Sequence, residues 1–327
     1  MLRSTVVAIG RSRRFFTMDT TILSAMIDRF QEDAKTGKET FQLISSSCET
    51  FPHTSPSSPT KTLYILDSSF NPPHRAHLAL ARIRKDGDTL ANSPTLLLLA
   101  TNNADKGAHP TAQLTRRLEM MEALRTSNLS DTTSAIAVTS YPYFVDKARV
   151  IRERWPDVNQ VWPIGFDTFL RLLDPKYYPN HDLQAGFGDF FTYSRVIAIT
   201  RPGEKWGERE EQESFLRAIR RGERSGVPKE WAERIEFEVL DRIRGISSTR
   251  IREAANAGDE EELGRLLPRG VLEYVVENGL YRDEDTTPRF VDGYDGSLGA
   301  DGDAMNILIP IPYAMKAPKL PATKNSP

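Results

Sequence analysis

Two of the five histidines in this chain stand three residues apart, His74 and His77, at the end of the stretch LYILDSSFNPPHRAH. The apolar run from Leu63 to Leu66 reads as a strand, and the segment from Arg75 to about Lys85 reads as a helix. Between them lies the short turn Asp67, Ser68, Ser69, Phe70, Asn71, followed by Pro72 and Pro73. A parallel sheet binds its ligand at such a strand end. Backbone N–H groups of the turn and the positive end of the helix both favour an anion there. Residues three apart share a helical face, so both histidines can meet one ligand. Phosphate suits the pair better than metal, because a zinc pair more often sits four apart with a further acid or cysteine ligand. A second stretch, GISSTRIREA from Gly245, brings Ser247, Ser248 and Thr249 to a helix start. Taken alone, it reads as a helix cap.

The elements that must position these residues follow from alternation. LYIL, TLLLLA at 95, AIAV at 135, VWPIG at 161, RVIAIT at 195 and IEFEVL at 235 are strand-length apolar runs. Helix-length segments separate them, at 114–124, 146–154 and 208–222 among others. Short apolar strands alternating with helices imply an α/β, Rossmann-like doubly wound parallel sheet, here with helices at the C-terminal end. The expected organisation is an unstructured or targeting extension over 1–18, an accessory helix within 19–44, a Ser/Pro-rich linker over 45–61, the main domain over 62–282 and a disordered tail over 283–327. Within the tail, the apolar segment 305–315 could dock as a strand or bind a partner.

The chain has 327 residues, 39% of them hydrophobic, and a net charge of −2, a balance that argues against a general nucleic-acid binder. No apolar run approaches the roughly 18–20 residues that cross a bilayer, so no membrane partner is expected. Cys48 is the only cysteine, cannot form an internal disulfide, and reads as inert. The expected location is intracellular, in cytoplasm or nucleus, with mitochondrial import as the alternative, because residues 1–18 carry four arginines and no acid. A P-loop is absent; GFGD at Gly186 and the pair His181–Asp182 lack the partners that would make them sites.

SSFNPPHRAH resembles the first signature of the nucleotidyltransferase superfamily, G-[ST]-F-[DN]-P-x-[HT]-x-G-H, and GISSTRIREA resembles its second, I-S-S-T-x-x-R. PIGFDTFLRL, LTRRLEMMEAL, VIAITRPGE and LPRGVLEYVVENGLY resemble further elements of the nicotinamide mononucleotide adenylyltransferase family. The resemblance spans about Leu63 to Arg282 and suggests a divergent, fungal-type member. It departs from the family at Ser68 and Ala76, where glycines are common, and at YFVDK, where Phe144 and Lys147 replace small hydroxyl residues of a YTIDT element.

The resemblance implies adenylyl transfer from ATP to nicotinamide mononucleotide, with Mg²⁺ accompanying ATP, no metal held by the protein itself, and homo-oligomerisation left open. His74, His77 and Arg252 would be catalytic. Ser69, Phe70, Gly165, Asp167, Arg201, Ser247, Ser248 and Thr249 would join them around ATP, with the hydroxyls on the β and γ phosphates and Arg252 as a bidentate clamp. Asn71, Lys106, Tyr177 and Tyr178 would bind the acceptor. Each has a plainer reading: Asp167 as a helix cap, Lys106 as a solvated loop lysine, Arg201 as a strand-end charge, the tyrosines as packing residues. A cytidylyl- or pantetheine-phosphate-type transferase, and a non-catalytic nucleotide-binding regulator, stay open as other functions.

Overall fold

Leu63, Tyr64, Ile65 and Leu66 are all buried, which a strand tolerates only when both of its faces are covered. The structure, a computed structural model, describes residues 19–52, 61–103, 107–200 and 209–282. The expected extension over 1–18, most of the linker, Lys106, Arg201 and the tail from 283 lie outside the described residues.

In chain order the elements are α1 (Thr20–Lys35), β1 (Phe41–Ser46), β2 (Thr62–Asp67), α2 (Arg75–Ala81), β3 (Thr95–Ala100), a two-residue ribbon β4 (Asn102–Asn103) and β5 (Gly107–Ala108), α3 (Thr111–Asn128), β6 (Ser134–Thr139), α4 (Phe144–Arg154), β7 (Asn159–Gly165), α5 (Phe166–Leu172), α6 (Leu183–Phe187), α7 (Phe190–Tyr193), β8 (Ser194–Thr200), α8 (Arg209–Arg220), β9 (Ile235–Val239), α9 (Ser248–Ala257), α10 (Glu260–Leu266) and α11 (Arg269–Glu277). Seven strands form one sheet in the order β1-β6-β3-β2-β7-β8-β9, parallel throughout except for β1, which runs antiparallel to β6.

The period-two alternation of the strands divides the core in two. Tyr64, Leu66, Leu97, Leu99, Ile136 and Val138 pack under α1, α2, α3 and α9 to α11. Leu63, Ile65, Leu96, Leu98, Ala135 and Ala137 pack under α4 to α8. From β2 the chain moves outward through β3 to β6, then returns to the other side of β2 for β7, β8 and β9. The direction reverses between β2 and β7, and the crevice at the carboxyl ends of those two strands is where a doubly wound sheet binds its ligand.

Three expectations need correction. The stretch 19–44 is helical only to Lys35, and Phe41–Ser46 is an edge strand. The linker over 45–61 begins too early: Ser45 and Ser46 belong to β1, and Phe51 is buried, its ring 5.6 Å from that of Trp155. Trp155 also meets Phe41 at 5.8 Å, and these aromatic contacts hold the edge against the sheet. α2 also ends earlier than expected, at Ala81. Among the described residues, no helix is long and apolar enough to cross a membrane.

The helix pair α3 and α11 packs through Gly270, where an added Cβ would lie 2.7 Å from the carbonyl oxygen of Ala123. Backbone cannot yield as a side-chain tip can. Gly270→Ala is expected to cost about 1–3 kcal/mol, as other overpacking changes do, read by urea denaturation. An unchanged midpoint would mean that α11 shifts freely.

Candidate active site

The turn after β2 takes its shape from Phe70, which adopts φ +47° and drops its ring into the core, 5.1 Å from the ring of His77. Phe70 therefore offers a ligand only its backbone. Asn71 and Ser69, half-buried, flank it. His74 caps α2 and forms a reciprocal pair with His77. The backbone N–H of His74 donates to Nδ1 of His77 at 3.0 Å, and that of His77 donates to Nδ1 of His74 at 3.4 Å. The rings stack with centroids 3.7 Å apart. Because each Nδ1 accepts, each neutral ring carries its proton on Nε2. Nε2 of His77 lies 2.7 Å from the hydroxyl of Ser68.

The start of α9 closes on this turn from the C-terminal part of the chain. Ser247 caps the helix, its hydroxyl accepting from the N–H of Arg250 at 3.3 Å. The Ser248 hydroxyl donates to the Pro72 carbonyl at 3.4 Å. Arg252 donates to the Asn71 carbonyl at 2.9 Å and to Oγ1 of Thr249 at 3.1 Å. The phenol of Tyr281 donates to Oδ1 of Asn71 at 2.8 Å. Arg250 turns away, paired with Glu262 at 2.5 Å and donating to the Gly245 carbonyl. The cap reading and the anion-site reading thus coexist: Ser247 caps, while Arg252 faces the signature turn.

A residue that sequence reasoning passed over joins this group. Arg117 of α3 is only 7% exposed, and its electrostatic neighbours are Tyr281 and Arg252. Among the described residues no carboxylate pairs with it. Burial pushes its guanidinium down to about 10, and Arg252 presses the same way, yet it remains a cation at neutral pH. Two guanidiniums near each other are suited to an anion. The signal was in the sequence, since Leu114, Leu118 and Met121 mark the apolar face of α3 and Arg117 falls on that face.

Across the crevice, Gly165 ends β7 and Asp167 lies in the first turn of α5. Asp167 is buried, and a Cβ on Gly165 would lie 2.7 Å from its Oδ1, so the glycine leaves room for the carboxylate. Beneath the crevice, Asp67 and Lys147 form an ion pair at 2.6 Å with side chains 0% and 1% exposed. Burial pushes the Asp67 carboxyl up, and the Lys147 ammonium opposes that shift. The remaining carboxylate oxygen, Oδ1, has no hydrogen-bond partner among the described residues.

Tyr177 and Tyr178 do not join the histidines. With Tyr143, Phe144, Val145, Arg171 and Leu172 they line a separate small slot beside the start of α4. Tyr178 donates to the Leu172 carbonyl at 2.7 Å and packs on Phe187, which fits the packing reading. Among the described residues, no group of three or more His, Cys, Asp or Glu is placed to hold a metal ion.

Comparison with known proteins gives consistent likenesses. The pattern of the cytidylyltransferase-like family matches residues 65–254. A Schizosaccharomyces pombe protein named "Putative nicotinamide mononucleotide adenylyltransferase" is 36% identical over 224 residues, covering 68% of this chain and 87% of that one. A Chlorobium luteolum protein named "Probable nicotinate-nucleotide adenylyltransferase" is 26% identical over 230 residues, covering 68% of this chain and 98% of its own length. Among solved structures, Plasmodium falciparum nicotinic acid mononucleotide adenylyltransferase complexed with NaAD aligns with a TM-score of 0.46 at 15% identity, covering 68% of this chain and 97% of that chain.

Proposed function

We propose that this chain, which belongs to the cytidylyltransferase-like family, transfers the adenylyl group of ATP to nicotinamide mononucleotide, giving NAD and pyrophosphate. The carrying observation is that the signature turn and the start of α9 meet at the reversal point of the sheet, with Arg117 and Arg252 beside them. A site of donors and guanidiniums without a general base suits this reaction. The acceptor phosphate has a second pKa near about 6 and is already largely ionised at neutral pH. Its oxygen bonds to the α-phosphorus of ATP while the bond from that phosphorus to the bridging oxygen breaks, and pyrophosphate leaves with the electron pair.

The protein's part is then positioning and charge neutralisation. His74 and His77, each through Nε2–H, donate to triphosphate oxygens. Ser247, Ser248 and Thr249 with the N–H groups at the start of α9 hold the β and γ phosphates, and Arg252 clamps them. Gly165 and Asp167 lie beside the nucleoside. The charge neutralisation supplied by these residues would be added to by Mg²⁺ accompanying ATP. Asn71 faces the acceptor.

Purified protein is expected to release pyrophosphate from ATP only when nicotinamide mononucleotide is added, with nicotinic acid mononucleotide and CTP as comparison substrates. Release with CTP in place of ATP, or binding of ATP with no release under any acceptor, would overturn this reading in favour of a cytidylyl enzyme or a regulator.

The clamp has its own test. Arg252→Lys keeps the charge but loses the planar fork, so the KM for ATP is expected to rise about tenfold, equal to about 1.4 kcal/mol. Arg250→Lys, whose side chain is engaged with Glu262, is expected to change it little. Equal ATP affinity in the two variants at matched salt would remove Arg252 from the site.

A further inference from the structure

We propose that Ser68 is a positioning residue that restrains His77: its hydroxyl accepts the one ring N–H that His77 has to offer, and so slows adenylyl transfer. The proposal rests on the adenylyl-transfer reading above. Nδ1 of His77 already accepts from the backbone N–H of His74 at 3.0 Å, which leaves the ring proton on Nε2. That nitrogen lies 2.7 Å from Oγ of Ser68, a short contact between two side chains that are 1% and 0% exposed. With no water able to compete for it, the bond is strong in the free protein. To donate to a phosphate oxygen as charge develops, His77 must give up or share that bond.

The serine is not needed for the shape of the turn. The left-handed conformation falls on Phe70, whereas Ser68 lies outside the positive-φ residues. Glycine is common at this place in the signature that SSFNP resembles, and glycine has no side-chain atom that could accept from His77. The hydroxyl is therefore an addition to the site whose contact is with the ring of a proposed catalytic residue. The bond it makes is worth about one ordinary net hydrogen bond, or about five- to tenfold in rate if it must be broken on the way to the transition state.

Ser68→Ala removes the acceptor and keeps the β-carbon, and Ser68→Gly is the second variant in case alanine perturbs folding. Both are expected to raise kcat about five- to tenfold while the KM for ATP stays within about twofold, because the change acts on a donor used in the transition state. In ¹⁵N spectra of the histidine side chains, the wild-type His77 ring is expected to show the Nε2–H tautomer with slow proton exchange, and the exchange is expected to speed up in both variants. A merely structural serine would give variants that are slower or equal in kcat. Unchanged or lower kcat in both variants, with an active wild type, overturns the restraint, and so does an unchanged His77 ring signal. Inactivity of the wild type and both variants toward every acceptor overturns the adenylyl-transfer reading and the restraint with it. An inactive wild type beside an active Ser68→Ala variant supports both.

Discussion

Replacing Arg117 by methionine is expected to lower kcat/KM for ATP by about 10²–10³-fold, the size seen when a preorganised charged or polar donor is lost, and at the same time to raise the unfolding temperature. The opposite signs come from one fact. A guanidinium 7% exposed, with Arg252 among its electrostatic neighbours and, among the described residues, no carboxylate paired with it, is costly to bury, and a methionine of similar length fills the same space without that cost. Cores tolerate such cations where a ligand supplies the counter-charge. ATP should therefore stabilise the wild type against heat far more than it stabilises Arg117→Met. Steady-state kinetics and thermal melts with and without ATP check both halves. A variant that loses stability along with activity would make Arg117 a packing residue, and one that keeps full activity would remove it from the anion site.

Breaking the ion pair beneath the crevice is expected to have the largest effect on stability. Lys147→Met leaves Asp67 buried as an unpaired carboxylate, a change that typically costs about 3–5 kcal/mol. Changing both partners together, Asp67→Leu with Lys147→Met, is expected to recover most of that loss, because no charge remains to be desolvated. The single variant carries a pH signature. Burial already pushes the Asp67 carboxyl up, and without the opposing ammonium it rises further. A folded-state pKa above the unfolded value means that the folded state takes up the proton more readily, so stability grows as the pH falls. The deficit of Lys147→Met should then shrink on acidification toward the carboxylate range. Urea denaturation across pH reads this, and a deficit independent of pH would point to lost packing of the lysine stem instead.

Where the sequence was informative, local pattern and local chemistry agreed. The runs LYIL, TLLLLA and RVIAIT are β2, β3 and β8, and their unbroken apolar character is what a strand covered on both faces requires. The signature turn and ISSTR also lie at the strand end and helix start where motif reading put them. What escaped depends on partners distant in sequence. β1 was hidden because FQLISS is half polar and runs into a serine-rich tract, and only its pairing with β6 makes it a strand. Lys147 lies 80 positions from Asp67, so a lysine on a charged helix gave no sign of burial. Tyr281 was read as the end of a helix signature, although its phenol reaches Asn71. Tyr177 and Tyr178 were grouped with the acceptor by resemblance alone, and the folded chain sets them in a different slot from the histidines.

Asn71 is held through its backbone carbonyl by Arg252 and through its side chain by Tyr281, residues 181 and 210 positions further along. For a chain emerging from the ribosome, this sets an order of events. The strands from β2 to β7 can pair while synthesis continues, and a nascent chain of that length already contains the whole histidine signature. Its turn nevertheless lacks both anchors, and the second guanidinium of the anion site, until the last helices have been made and have docked. A product cut short before Tyr281 would carry the motif that identifies it and still grip nucleotide poorly. Capture on immobilised ATP would therefore sort finished chains from unfinished ones.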